Sequence, residues 1–201
     1  MTAVVFDVGE TLVDETRYWE AIADAVEVPR LTFLGVLGGV IERGEPQGAV
    51  LEILDVARPE RLPPLSPDDI YPDALPCLAE LRSLGYALGL AGNQPASTEV
   101  FLRDAGFDVD FVASSQTWGV EKPSLVFFEH VAAEAGRLPE QIAYVGDRLD
   151  NDVLPAKAAG MVAVFLRRGP WGYLHALRPE AEEADVRINS LEQLVEALAG
   201  V

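Results

Sequence analysis

The sequence predicts an α/β protein with a doubly wound parallel sheet and a small helical domain inserted after the first strand. Short apolar runs alternate with segments of helical periodicity, which is typical of a parallel sheet covered by helices on both faces. This alternation is interrupted once, between Asp14 and Asp73, where no strand pattern is found.

Six apolar runs are predicted to form the strands. They comprise residues 3–8, 86–92, 109–114, 141–146, 161–166 and 185–188. Most of the amphipathic segments between them, such as CLAELRSLG and SLVFFEHVAAEAG, end on a glycine, which commonly follows the last residue of a helix.

The interruption contains three helical patterns, in residues 16–28, 31–44 and 47–57, followed by the proline-rich residues 58–76. Prolines in such number favour an extended linker. The predicted organisation is therefore an α/β core formed by residues 1–13 and 74–201, with residues 14–73 as a helical insert and its linker.

Charge and composition limit the possible partners. The net charge of −18 at pH 7 argues against nucleic acid and anionic membranes, because both would be repelled. The apolar residues 31–41 fall short of a membrane span. The single cysteine, Cys77, cannot form an internal disulfide, and the first residues lack the basic region of a signal peptide. A cytoplasmic location is expected.

Acidic residues stand where strands are predicted to end. Asp7 follows the first strand, Asp147 follows the fourth, and Asp152 comes five residues later. Ligands of open parallel sheets bind at the carboxyl ends of the strands, and grouped carboxylates suit Mg²⁺. The alternative is that each acid merely caps the helix that follows it.

Lysine occurs at only two positions, Lys122 and Lys157. Lys122 precedes a proline at the start of a predicted helix, and its compact ammonium group suits a phosphate pocket among carboxylates. Lys157 lies within a helical pattern and is interpreted as a surface residue.

Four segments, FDVGETLV, GLAGN, EKPSLVFF and GDRLDNDVLPAKAAGM, resemble the four ordered motifs of the haloacid dehalogenase superfamily. The helical insert resembles the C1-type cap of that family. The resemblance covers essentially the whole chain. The third and fourth motifs match closely, and the first two match in part.

The resemblance implies a phosphatase of small phosphate monoesters that uses Mg²⁺. Asp7 would attack phosphorus and form a phosphoaspartate, and Lys122 would neutralise the nucleophile and the transferred group. Asp7, the main-chain carbonyl of Gly9 and Asp147 would bind Mg²⁺, and Asp152 would bind it directly or support a ligand. This agrees with the general logic of phosphoryl transfer, which depends on positioning and charge stabilisation.

Two positions depart from the family pattern. Gly9 replaces the second aspartate of the first motif, which is the family's general acid and base, and Gly92 replaces a serine or threonine that binds phosphate. Glu10 could take over proton transfer, but neighbouring side chains of an extended segment point to opposite sides, so a role in capping or hinging the turn is favoured. The Asn93 amide and nearby backbone N–H groups could bind the anion.

A few other residues could have roles in the site. His175 follows the fifth strand and could supply a proton. Residues of the insert could contact substrate, namely Arg17, Tyr18, Trp19 and Arg43. The alternative function is a catalytically impaired member of the family that binds a phosphorylated metabolite or a protein partner.

Overall fold

The structure, a computed structural model, describes residues 1–201 and contains one fully parallel sheet of six strands in the order β3-β2-β1-β4-β5-β6. The strands are β1 Ala3–Phe6, β2 Ala87–Gly92, β3 Phe111–Ser114, β4 Ile142–Gly146, β5 Val162–Leu166 and β6 Val186–Ile188. All six predicted strands are present, which confirms the doubly wound α/β class.

The strand order of the sheet reverses between the neighbouring strands β1 and β4. Strands β2 and β3 lie on one side of β1, and β4, β5 and β6 lie on the other side. The carboxyl ends of β1 and β4 therefore flank the switch point at which open α/β sheets bind ligands.

Ten α-helices accompany the sheet. They are α1 Thr16–Ala25, α2 Arg30–Glu42, α3 Ala49–Ile53, α4 Ala74–Ser83, α5 Ala96–Asp104, α6 Ser115–Trp118, α7 Leu125–Ala135, α8 Leu154–Ala158, α9 Gly169–His175 and α10 Leu194–Leu198. None combines the length and the apolar composition that a membrane crossing would need.

Both faces of the sheet are buried. Val4 and Phe6 of β1 join an apolar cluster on one face, while Ala3 and Val5 join a second cluster on the other face. This division follows from the alternation of side chains along a strand. Burial on both faces explains why the strands are continuous apolar runs rather than alternating ones.

The helices α1 to α3 form a third apolar cluster, which includes Trp19, Phe33 and Leu37. Trp171 of α9 packs into the same cluster, so the insert rests on the helix after β5. The division of the chain into core and insert at residues 14 and 73 stays a prediction.

All three insert helices are shorter than the periodicity predicts, α1 and α3 most clearly. Helix α1 ends at Ala25 instead of residue 28, and α3 covers only Ala49–Ile53. Shortly after each helix, Glu27 and Asp55 adopt positive φ angles of 56° and 52°. A left-handed backbone ends an α-helix, and glutamate or aspartate signals this conformation less clearly than a glycine does.

The two connections between core and insert run side by side. Val13 forms an isolated antiparallel bridge with Ile70, and the Asp14 N–H donates to the Asp69 carbonyl at 2.7 Å. The Tyr71 N–H donates to the Leu12 carbonyl at 2.9 Å. These bonds hold the segment that leads from the first motif into the insert against the segment that leads from the linker back to the core.

Candidate active site

Asp7 follows β1 and is held in place by its backbone and its side chain. Its N–H donates to the carbonyl of Val145 in β4 at 2.8 Å, which carries the strand pairing one residue further. Its Oδ1 accepts a hydrogen bond from the ammonium group of Lys122 at 2.6 Å. The other carboxylate oxygen is not engaged by Lys122, so Asp7 can present an oxygen to a ligand.

Lys122 joins two carboxylates that come from different parts of the sequence. Its Nζ donates to Asp7 and, at 2.5 Å, to Oδ1 of Asp152. The side chain is 1% exposed and passes beside the rings of Phe127 and Tyr144. Burial acts to lower the pKa of Lys122, but Asp152 and Asp7 outweigh it and hold the pKa well above the ordinary value. The lysine is therefore a fixed positive charge.

Asp147 and Asp152 complete a group of three buried acids with Asp7, and their ligand atoms all lie within 4.8 Å of one another. Burial is the main reason that the pKa of Asp147 is well above its ordinary value, and the neighbouring carboxylates add to the effect. Burial likewise raises the pKa of Asp152 to about 6, although Lys122 opposes it.

This group fits a divalent cation. One ammonium faces three carboxylates, so the site has an excess of negative charge that a hard cation would balance. The Oδ2 atom of Asp147 is buried and has no hydrogen-bond partner. A buried carboxylate oxygen without a donor is costly, and metal ligation would satisfy it. The Gly9 carbonyl accepts no hydrogen bond from the chain and is also available.

Glycines make room for this arrangement at two strand ends. A Cβ at Gly92 would stand 2.6 Å from Oδ1 of Asp7, and a Cβ at Gly146 would stand 2.4 Å from Cγ of Asp152. A serine or threonine at position 92 would therefore press on the Asp7 carboxylate. The missing hydroxyl of the second motif is thus linked to the position that Asp7 adopts here.

The contacts of Asn93 do not support the prediction that its amide binds phosphate. The Asn93 Nδ2 donates to the carbonyl of Lys122 at 2.9 Å, and its Oδ1 accepts from the Lys122 N–H at 2.8 Å. Both ends of the amide are used to fix the backbone of the lysine. Asn93 is therefore a positioning residue for Lys122.

Comparison with known proteins identifies the family. Residues 1–160 match the family of haloacid dehalogenase-like hydrolases. The chain belongs to this family. The glyceraldehyde 3-phosphate phosphatase of Methanopyrus kandleri is 36% identical over 132 residues, which is 64% of this chain and 56% of that protein. The phosphoserine phosphatase of Thermus thermophilus is 38% identical over 136 residues, with 64% and 52% covered.

This haloacid dehalogenase-like hydrolase spans only about half the length of those curated relatives. Among solved structures, the HAD phosphatase from Thermococcus onnurineus superposes with a TM-score of 0.66 at 26% identity, covering 100% of this chain and 99% of that one. The family assignment thus rests on both sequence and fold.

Glu10 of this haloacid dehalogenase-like hydrolase belongs to the turn after the first motif. It has a positive φ of 52°, and its carboxylate accepts from the Tyr71 hydroxyl at 2.7 Å and from the Glu15 N–H at 3.0 Å. Burial raises the pKa of Glu10. Both carboxylate oxygens are thus engaged in holding the connections to the insert. This geometry favours the hinge role over the catalytic role predicted for Glu10.

Glu15 was not among the site residues predicted from the sequence. A Cβ at Gly9 would stand 2.5 Å from Oε1 of Glu15, so the glutamate carboxyl fills the space above the glycine. Burial, with the nearby Glu10 and Asp7 carboxylates, raises the pKa of Glu15 to about 8. No motif signals this residue, because it lies beyond the first motif at the start of α1.

The predicted candidates in the insert have structural contacts. Arg17 pairs with Asp69 and donates to the Pro64 carbonyl at 2.6 Å, while Arg43 pairs with Glu45 at the surface. Trp19 packs against Tyr18, Phe33 and Trp171, with ring centroids 5.2, 6.4 and 6.0 Å away. The indole Nε1 of Trp19 is buried, and its N–H has the Glu15 carboxyl as a neighbour.

His175 fixes the loop that follows Asp147. Its Nδ1 accepts a hydrogen bond from the N–H of Leu149 at 3.0 Å, so this nitrogen carries no proton. Burial is the main cause that lowers the pKa of His175 to about 4. The bond to the Leu149 backbone gives the histidine a structural role in place of the predicted proton transfer.

His175 is expected to make the protein sensitive to acid. The unfolded chain binds a proton as the pH falls through about 6.5, whereas folded His175 does not until about pH 4. The free energy of unfolding should therefore fall over this range, by up to about 3 kcal/mol. In His175→Asn the amide oxygen can accept the same N–H, so this contribution to the pH dependence should disappear.

Urea unfolding between pH 7 and pH 4.5 checks this prediction, with His130→Asn as the control at the other histidine of the chain. The difference in unfolding free energy between wild type and His175→Asn should shrink as the pH falls. If the difference in unfolding free energy stays constant with pH, His175 is not buried in its neutral form as described here.

Proposed function

We propose that this protein is a Mg²⁺-dependent phosphatase that hydrolyses small phosphate monoesters through a phosphoaspartate on Asp7. The observation that carries the proposal is the pairing of Asp7 with the buried Lys122 beside two further acids. A nucleophilic carboxylate, a fixed ammonium and a cation site in one place are the parts that phosphoryl transfer needs.

The residues of the chain have distinct parts in this reaction. Asp7 attacks phosphorus with the oxygen that Lys122 does not hold, and Lys122 stabilises negative charge on the transferred group. Asp7, the Gly9 carbonyl, Asp147 and Asp152 would hold Mg²⁺. When bound, the ion supplies positive charge that offsets the charge of the phosphoryl oxygens. Water then cleaves the phosphoaspartate and restores Asp7.

The proposed substrates are small phosphorylated metabolites. The relatives in Methanopyrus kandleri and Thermus thermophilus are named for glyceraldehyde 3-phosphate and phosphoserine, which both carry a phosphate on a three-carbon compound. In this chain the insert packs directly on α9 beside the site, which favours a small leaving group. The guanidinium of Arg148 lies 5.3 Å from the ring of Trp171 at the same junction, where Asp150 already accepts two hydrogen bonds from it.

A second candidate function is the binding of a phosphorylated metabolite or a protein partner without catalysis. Gly9 and Gly92 favour it, because each replaces a group that the family uses in the reaction. The paired Asp7 and Lys122 favour the enzyme, because a binding protein has no need of a nucleophile.

Asp7→Asn is expected to abolish phosphatase activity, because an amide cannot form the phosphoenzyme. The assay compares wild type, Asp7→Asn and the exposed control Asp104→Asn with Mg²⁺ on an activated aryl phosphate, glyceraldehyde 3-phosphate and phosphoserine. Turnover by Asp7→Asn at the rate of wild type would exclude the phosphoenzyme. A silent wild type that still binds Mg²⁺ and inorganic phosphate would instead favour the binding protein.

A further inference from the structure

The space above Gly9 is filled by a carboxyl group from elsewhere in the chain. Oε1 of Glu15 lies 2.5 Å, and its Cδ 3.0 Å, from the point where a Cβ of residue 9 would stand. In an aspartate, ordinary bond lengths place each carboxylate oxygen about 2.4 Å from its own Cβ. A glutamate oxygen therefore stands as far from this point as the oxygen of an aspartate side chain at position 9 would.

The other acids near Asp7 already have partners or a different task. Asp152 binds Lys122 and the Arg148 N–H, and Asp147 belongs to the cation site. Glu10 accepts hydrogen bonds from Tyr71 and from the Glu15 backbone. The Glu15 carboxyl forms no ion pair and accepts no hydrogen bond from a backbone N–H. Of these acids, Glu15 is the one whose carboxyl is held only by a side chain, the Trp19 indole N–H, and is not committed to an ion pair or to the backbone.

Two further polar groups lie beside this carboxyl. The Gln94 Nε2 is 3.4 Å from the same point above Gly9, on the side of the core. The Trp19 indole N–H lies one helical turn beyond Glu15, is buried, and has the Glu15 carboxyl as its hydrogen-bonding neighbour. The acid above Gly9 thus has an amide and an indole N–H as neighbours.

We infer that Glu15 is the general acid and base of this phosphatase and replaces the side chain that is absent at Gly9. The inference rests on the proposed function, since it assigns the proton transfers of that reaction. It places a catalytic group on the connection to the insert rather than on the first motif.

The proton transfers balance in two steps. An Asp7 oxygen bonds to phosphorus, the bond to the leaving oxygen breaks, and that oxygen keeps the electron pair and takes the Glu15 proton. In the second step the oxygen of a water molecule bonds to phosphorus, and a proton of that water passes to the Glu15 carboxylate. The bond between phosphorus and the Asp7 oxygen breaks, and its electron pair stays on Asp7. Phosphate leaves, and both carboxyl groups regain their starting states.

The first test is Glu15→Gln, which keeps the shape but cannot donate or accept the proton in this way. Turnover of glyceraldehyde 3-phosphate, whose alkoxide leaves poorly, should fall by about 10²- to 10⁴-fold. An activated aryl phosphate needs no acid in the first step, so the variant should still release a burst of about one equivalent of phenolate before slow turnover. The exposed Glu52→Gln is the matched control.

The second test uses the collision at Gly9. Gly9→Asp alone should give little or no gain, because the Glu15 carboxyl, whose Oε1 lies 2.5 Å from the Cβ position of residue 9, already supplies the acid there. In Gly9→Asp combined with Glu15→Ala, the new acid has room, and turnover of glyceraldehyde 3-phosphate should rise at least about tenfold above that of Glu15→Ala. The pair supports the role of Glu15 when Glu15→Ala alone falls well below wild type and the double variant recovers the lost turnover. If Glu15→Ala equals wild type and the double variant exceeds both, the role of Glu15 is wrong.

The outcomes separate this inference from the proposed function. If Asp7→Asn is inactive and wild type is active, but Glu15→Gln equals wild type on glyceraldehyde 3-phosphate, the function stands and the role of Glu15 is wrong. Equal loss on both substrates without a burst would also overturn the role, because it would indicate general damage. If wild type is as inactive as Asp7→Asn, the function itself fails and the role of Glu15 falls with it.

Discussion

Lys122→Met is expected to lower the free energy of unfolding of the metal-free protein by about 3–5 kcal/mol. The ammonium of Lys122 lies 2.6 Å from Asp7 and 2.5 Å from Asp152, and the lysine side chain is 1% exposed. Methionine keeps much of the apolar stem but leaves the two carboxylates without their cation. Removing one partner of a buried ion pair costs more than the pair itself contributes, because the other charge stays desolvated.

The other lysine of the chain provides the matched control. Lys157 pairs with Asp185 at 2.7 Å, but its side chain is 43% exposed. An ion pair at the surface contributes about 0–1 kcal/mol, so Lys157→Met should change stability little. Urea unfolding of both variants without metal measures the two losses. Equal losses at the two lysines would show that burial of the Lys122 pairs does not matter.

Mg²⁺ should reduce the loss in Lys122→Met. The ion would bind among Asp7, Asp147 and Asp152, whose ligand atoms lie within 4.8 Å of one another, and would replace the missing positive charge. The same unfolding experiment with saturating Mg²⁺ tests this. A variant that gains no stability from Mg²⁺, while wild type does, would mean that the lysine itself is needed to build the cation site.

The meeting of Asp7, Asp147, Asp152 and Lys122 could be anticipated from the sequence. The acids stand at or just after the carboxyl ends of two parallel strands, and parallel strands bring those ends to one edge of the sheet. Lys122 precedes α7, which packs on the same sheet. This part of the site is determined by the sheet topology and by the alternation of strands and helices. Both leave a periodic pattern of apolar residues in the sequence.

The contacts of Asn93 and Glu15 could not be anticipated in the same way. Asn93 binds the backbone of Lys122, which is 29 residues away in the chain. Glu15 reaches Gly9 only because the chain turns sharply at Glu10. Glu10 has a positive φ, and no glycine at this position signals the turn in the sequence. Such contacts depend on the direction of single side chains after folding, and hydrophobic periodicity carries no information about that direction.

Gly146→Ala is expected to displace Asp152 and to weaken Mg²⁺ binding by about 10- to 100-fold. A Cβ at this position would stand 2.4 Å from Cγ and 2.5 Å from Oδ2 of Asp152. The aspartate cannot move freely, because it is buried and bonded to Lys122 and to the Arg148 N–H. Forcing a methyl group into such a packed site also costs about 1–3 kcal/mol of stability.

Gly35→Ala is the matched control for this substitution. Gly35 lies in α2, and a Cβ there would have no atom within 4 Å. Alanine is favoured over glycine inside a helix, so this variant should gain about 0.5–1 kcal/mol. Calorimetric titration with Mg²⁺ should show weaker binding only for Gly146→Ala. Urea unfolding should show a loss of stability for Gly146→Ala and a gain for Gly35→Ala. Wild-type Mg²⁺ affinity in Gly146→Ala would mean that the position of Asp152 seen here is not needed for the cation.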